Sequence, residues 1–178
     1  MLIGSLEPGS LEQDSINRGK FKVEIAGEDM PAIQAIKEQF GVQKPFSDEA
    51  VLGCVTVTPE TANLIIALGE LGVKNLRWCS DNQFATDDDV ANYLRSIGFD
   101  IFAKANMSDK EYIDAMRDAS SFEDHEVSQG LVIIDDGCDI TDYLIRENPK
   151  LLKKIKLITE QTTCGVNKFV NLFDQRKV

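Results

Sequence analysis

Short apolar runs alternate along this chain with amphipathic stretches of helical period, and this alternation constrains the fold more than any other feature. Residues 51–57, 75–79, 100–103, 131–134 and 154–159 read as strands. Between and after them, residues 59–71, 87–97, 108–119, 140–147 and 166–173 read as helices, the first two closed by Gly72 and Gly98. Parallel strands need a crossover between neighbours, and strands buried on both faces show unbroken apolar runs rather than alternation. The pattern therefore predicts an α/β fold: a three-layer, Rossmann-like domain with a parallel sheet of about five strands and helices on both faces. Upstream, residues 29–41 carry an acidic start, Pro31, apolar Ile33, Ile36 and Phe40 on one face, and a closing Gly41, the signature of one more helix. Residues 1–20 mix Gly, Ser, Pro and charges without an apolar period. They are expected to form a flexible or loosely docked arm, with the folded domain spanning 21–178.

A chain of 178 residues is long enough to bury roughly 70% of its unfolded surface, so no disulfide framework is required. Thirty acidic residues against 19 basic ones give a net charge of -11, which repels phosphate backbones and anionic lipid; nucleic acid and membrane are not expected partners. The longest apolar runs fall far short of the ~20 residues a membrane span needs, and the amino terminus has no basic start followed by an apolar core. Cys54, Cys79, Cys138 and Cys164 lie 25 or more residues apart without a CxxC pair, which suits reduced thiols and a cytoplasmic location.

In sheets of this kind ligands bind at the carboxyl ends of the strands, near the point where strand order reverses. That rule selects residues 56–61, 79–82, 135–139 and 159–165, all dense in hydroxyls, amides and carboxylates, the groups that hold a polyhydroxylated ligand such as a ribose. Asp136, after a buried strand and before Gly137, is the leading candidate, catalytic if any activity is present. The competing reading makes it a turn residue capping the next helix, a role otherwise given to Asp139. Asp87, Asp88 and Asp89 read as the acidic first turn of a helix rather than a metal cluster. No metal site is expected, although Cys79, Cys138 and Cys164 all fall at strand ends and could converge as thiolates or soft-metal ligands. His125, the single histidine, lies in a polar loop and is not expected to be catalytic.

The same strand ends carry a family resemblance. Residues 53–62, GCVTVTPETA, resemble the GCLHMTxET(A) segment of S-adenosylhomocysteine hydrolases, and residues 77–88, RWCSDNQFATDD, resemble their (x)WSSCNxFSTQD. Residues 134–141 resemble LDDGGDLT and residues 158–166 resemble ISEETTTGV, while Met30-Pro31 and Lys44-Pro45 match the EMPGL and KPL signatures. The six segments occur in the family's order over about residues 22–172.

The resemblance implies a substrate-binding domain for the adenosine part of S-adenosylhomocysteine, and a place in one-carbon metabolism. It also implies that NAD, which oxidises the ribose 3'-hydroxyl, is held by a second domain that this sequence does not include. No GxGxxG occurs, and no cofactor is expected in this chain. Thr58, Glu60 and Thr61 match positions resembling the family's adenine contacts, and Asn82, Asp88, Asp135, Asp136 and Glu160 are also retained. The family's histidine is Thr56 here, and the second glutamate of SEET, a ribose contact, is Gln161. A threonine hydroxyl does not replace an imidazole titrating near neutrality, and an amide keeps hydrogen bonding but loses charge.

The ligand-binding set expected from this carry-over is Thr56, Thr58, Glu60, Thr61, Asn82, Asp136 and Gln161. The leading expectation is a module that binds adenosine, S-adenosylhomocysteine or a related nucleoside without the full NAD-dependent reaction. Two alternatives are kept. The chain could be a homo-oligomer or regulatory subunit docking on a full-length hydrolase or a separate NAD-binding chain. It could also be a small enzyme of different chemistry using Asp81, Asp136 or the cysteines.

Overall fold

The computed structural model describes residues 8–174. Two helices lead, α1 (Pro8–Glu28) and α2 (Pro31–Phe40), followed by β1 (Ala50–Cys54), α3 (Pro59–Glu70), β2 (Asn75–Cys79), α4 (Asp88–Ser96), β3 (Asp100–Phe102) and α5 (Asp109–Ala119). Then come β4 (Leu131–Asp135), α6 (Asp139–Glu147), the single turn α7 (Pro149–Leu152), β5 (Ile155–Glu160) and α8 (Thr163–Asp174). All five strands are parallel, in the order β3-β2-β1-β4-β5. The α/β sheet expected from the alternation is present, and none of its strands was misread as a helix. The chain lays β1, β2 and β3 outward to one side and then returns to place β4 on the other side of β1, so the strand order reverses between β1 and β4.

The pleat of β1 sorts the core. Val51 faces a cluster with Trp78, Ile65, Val90 and Leu94, beneath α3, α4 and part of α1. Leu52 and Cys54 face the opposite cluster with Ile133, Met116, Ile140 and Leu144, beneath α5 and α6. Successive strand residues point to opposite faces, so one short run serves both halves of the core. Gly53 sits on the first of these faces because its register partner is Trp78, whose fully buried indole lies across it and donates from Nε1 to the Val55 carbonyl at 2.9 Å.

The amino-terminal segment differs from expectation. From Pro8 the chain is helical, and α1 packs against α3 and α4 instead of forming a loose arm; residues 1–7 lie outside the described residues. Apolar periodicity is not what docks it. Gly19 lets the helix meet the Asp89 carbonyl so closely that an added Cβ would lie 2.0 Å from that oxygen. Around this contact Ser15 Oγ donates to Asp89 at 2.7 Å, Arg18 forks onto the same carboxylate at 2.8 and 2.9 Å, and Lys22 bridges Asp87 and Asp89. Arg18, with Ser15 and Lys22, holds the Asp89 carboxyl well below the usual carboxylate range. Asp87 meanwhile caps α4, accepting from the backbone N–H groups of Asp89 and Val90. The run of three acids is thus a helix start clamped by a basic helix face.

Candidate functional site

All five parallel strands have their carboxyl ends on one side of the fold, and the loops leaving β1 and β4 flank the reversal point. The Asp136 N–H donates to the Cys54 carbonyl at 3.0 Å, and the Gln161 N–H donates to the Asp135 carbonyl at 3.0 Å, so the ends of β1, β4 and β5 are zipped together beyond the ladder. Thr56 Oγ1 donates to Asp81 Oδ1 at 2.8 Å and ties the β1 and β2 loops. From α5, Tyr112 Oη lies 2.8 Å from the Asp81 carbonyl and 3.1 Å from Asp139 Oδ2, two acceptors that share its one proton, and Lys168 on α8 pairs with Asp139 at 3.0 Å. Thr56, Asp136 and Gln161 are therefore brought to one place. Thr58 and Thr61 are joined to each other: Thr58 caps α3, accepting from the Thr61 N–H at 3.2 Å, with Glu60 exposed in the first turn. Asn82 stands apart in the β2–α4 loop, exposed, its Oδ1 accepting from the Phe84 N–H at 2.9 Å.

The two neighbouring aspartates after β4 have opposite environments. Asp135 is fully buried, and its carboxylate accepts from the Ile140 and Thr141 N–H groups at 3.3 and 3.0 Å, capping α6. That is the role expected of Asp139, which instead engages Tyr112 and Lys168. Neither the expected cap nor the turn reading of Asp136 holds, because the carboxylate at the end of the strand reaches over the turn. Asp136 is half-buried, and its carboxylate makes no hydrogen bond among the described residues. Its charge works against ionisation of Asp81, whose pKa is raised chiefly by burial, then opposed by the Thr56 hydroxyl.

Burial pushes the Asp135 carboxyl up to about 6 from its ordinary 3.8, against the pull of its helix N–H donors. The folded chain thus holds this proton more tightly than the unfolded chain. The contribution of Asp135 to stability is full below its ordinary value and is lost as pH rises through about 6. Denaturant titrations between pH 4 and 7 should show the wild type losing on the order of 3 kcal/mol relative to Asp135→Asn over that interval. Parallel curves for the two proteins would contradict the assignment.

Glu160 is spent on architecture. Its carboxylate accepts from the N–H groups of Gly137 at 3.0 Å, Cys138 at 2.9 Å and Thr162 at 2.8 Å, and from the Thr162 hydroxyl at 2.9 Å. Gly137 and Cys138 both take positive φ, 70° and 58°, so their amides turn inward to form a nest around this anion. The cysteines do not assemble. Cys54 and Cys79 are buried neighbours across the β1–β2 ladder, Cys138 is buried with its thiol pushed up to about 12, and Cys164 is exposed and bonded to Thr162. Among the described residues no three His, Cys, Asp or Glu side chains are grouped to hold a metal ion.

Sequence reasoning missed Tyr112, Lys168 and the Thr56–Asp81 bond. Tyr112 and Lys168 look like ordinary helix residues, and the separation of 25 positions from Thr56 to Asp81 conceals that two strand ends stand side by side. Among the described residues, no helix is long and apolar enough to cross a membrane. Compared with known protein families, residues 12–151 match the family model described as S-adenosyl-L-homocysteine hydrolase, a match that starts inside α1 and ends in α7.

Proposed function

The chain belongs to the S-adenosyl-L-homocysteine hydrolase family, and from that premise we propose that it binds adenosine, S-adenosylhomocysteine or a related nucleoside at the strand ends without carrying out the full hydrolase reaction. The observation that carries this reading is Asp136: a half-buried carboxylate at the reversal point, with no hydrogen-bonding partner of its own among the described residues. A carboxylate in that position accepts from hydroxyl donors, and a vicinal diol supplies two. Exposed Gln161, whose backbone is tied to the end of β4, offers an amide beside it, and Glu60 offers a carboxylate at the start of α3. Thr56 stands where the family has histidine, and its hydroxyl proton is already committed to Asp81, so it supplies no neutral-pH acid or base.

The nicotinamide cofactor of the family does not fit the helix starts that follow β1, β2, β3 and β4. A pyrophosphate needs open backbone N–H groups at a helix N-terminus. The Thr58 hydroxyl fills that position on α3, Asp87 on α4, Ser108 on α5 and Asp135 on α6, and Glu160 fills the nest of the β4–α6 turn. Three of these five groups are anionic and would repel phosphate. No step of a redox reaction is assigned to these residues.

Calorimetric titration of the chain with adenosine and with S-adenosylhomocysteine tests the reading. Saturable binding is expected, weakened at least about tenfold in Asp136→Ala, the loss of a hydrogen bond from a charged acceptor. A flat titration with both ligands, or an Asp136→Ala variant that binds like the wild type, would overturn it.

A further inference from the structure

The loops leaving β2 and β4 do not meet through the sheet. β1 lies between those strands, with Cys54 in register with both Cys79 and Asp135, so the two loops start roughly 10 Å apart, two strand spacings. Beyond that row one side chain spans the gap. Tyr112 lies in α5, where its ring packs against the cluster that holds Leu52, Cys54 and Ile133. Its hydroxyl stands between the Asp81 carbonyl, 2.8 Å away in the β2 loop, and Asp139 Oδ2, 3.1 Å away at the start of α6. Burial pushes the phenol pKa far above its ordinary 10, so the oxygen keeps its proton and remains a donor throughout the neutral range.

Each of these contacts fixes a group in the candidate site. Asp81 is also held by Thr56, whose hydroxyl donates to its Oδ1 at 2.8 Å, so its main chain and side chain are pinned from two different elements. Asp139 follows Asp136 across the turn in which Gly137 and Cys138 take positive φ. The Asp81 and Asp136 carboxylates are near enough for the charge of Asp136 to oppose ionisation of Asp81. The Tyr112 hydroxyl thus sets how far the Asp81 loop stands from the Asp136 turn.

The chain of contacts continues to α8. Lys168 pairs with Asp139 at 3.0 Å and lies 3.6 Å from Asp142, and it falls beyond residue 151, where the family match ends. One proton serves two acceptors, so the ammonium group decides which of them Tyr112 favours. With Asp139 neutralised by Lys168, the hydroxyl stays with the nearer acceptor, the Asp81 carbonyl. Without Lys168 the uncompensated carboxylate draws the hydroxyl to itself, because bonds to a charged acceptor are the stronger ones.

We propose that Tyr112 is a positioning residue for ligand binding, acting through Asp81 and the Asp136 turn, and that Lys168 controls it from α8; this rests on the reading of the strand ends as a nucleoside site. The test is calorimetric titration with adenosine of the wild type, Tyr112→Phe, Lys168→Met and the double variant. Tyr112→Phe keeps the ring and removes only the hydroxyl, and is expected to bind at least about fivefold more weakly, the effect of one hydrogen bond. Lys168→Met is expected to bind at least about threefold more weakly, and the double variant no more weakly than Tyr112→Phe, because the lysine acts through the tyrosine. Tyr143→Phe, the same deletion in α6, is expected to bind like the wild type. In nuclear magnetic resonance spectra with isotope-labelled tyrosine rings, adenosine should shift the Tyr112 signal and leave that of Tyr143 in place, which a purely structural role would not produce. Losses that add in the double variant, an unmoved Tyr112 signal, or a Tyr112→Phe variant that binds like the wild type would overturn the proposal and leave the nucleoside reading standing. A wild type that binds no adenosine removes both.

Discussion

Replacing Gly53 with alanine is expected to cost the protein at least about 3 kcal/mol of stability, toward the upper end of what a single overpacked methyl group produces. An added Cβ at this position would lie 2.1 Å from the Trp78 ring, far inside van der Waals contact. Relief is blocked on every side. The strand carrying Gly53 is hydrogen-bonded to β2 and β4, so its backbone has no free edge along which to shift. The indole is fully buried among Val90, Leu94 and Ile65, and its Nε1 is tied to the Val55 carbonyl. Since small domains hold about 5–15 kcal/mol in total, valine in place of Gly53 should leave little folded protein. Urea unfolding measures the alanine variant directly. Adding Trp78→Leu should recover part of the loss, because the cavity that substitution opens is where the new methyl group belongs. A Gly53→Ala midpoint equal to that of the wild type would show that the contact is soft.

Gly165→Ala should loosen the candidate site and the adjoining turns together. Its Cβ would lie 2.2 Å from Glu160 Cδ, so the carboxylate has to leave the position in which it receives three backbone amides and a hydroxyl. Each amide left without a partner in a half-buried place costs about 1 kcal/mol or more. The Gly137–Cys138 turn, held in positive φ around this anion, loses the group that organises it. Because Asp136 directly precedes that turn, nucleoside binding should fall along with thermal stability. Hydrogen exchange distinguishes this from general softening: the amides of Gly137 and Cys138 should exchange faster in Gly165→Ala while those of β2 and α4 stay unchanged. Unchanged exchange at Gly137 and Cys138 would break the link between Gly165 and the β4–α6 turn.

The strand runs were legible because a buried parallel sheet leaves few alternatives for short apolar segments separated by helical periods, and Gly72 and Gly98, both at positive φ, marked the ends of α3 and α4. The first helix was not legible. What docks it is one glycine and a fork of ionic bonds to residues some 70 positions away, and neither leaves a periodic trace. At the site, position in sequence identified the loops but not the division of labour within them. Asp135, Asp136 and Asp139 differ only in which way each carboxylate points, and that is decided by the burial of β4, the αL turn at Cys138 and the approach of Tyr112 from α5. Glu160 likewise looks like a ligand residue in a linear motif, whereas folding makes it an internal anion.

The docking of α1 also has a bearing on synthesis. This helix is the first described element to leave the ribosome, but the carboxylate that receives Arg18 and Lys22 emerges about 70 residues later. A lone 21-residue helix is marginal in water, and a contact spanning that length of chain forms only after the intervening loop has closed. Through the making of β1, α3 and β2 the nascent chain therefore carries an amino-terminal segment that can meet α3 but not α4, with which its ionic contacts are made. The arrival of α4 ends that interval, and a chaperone or protease acting on this protein during translation would find its opening there.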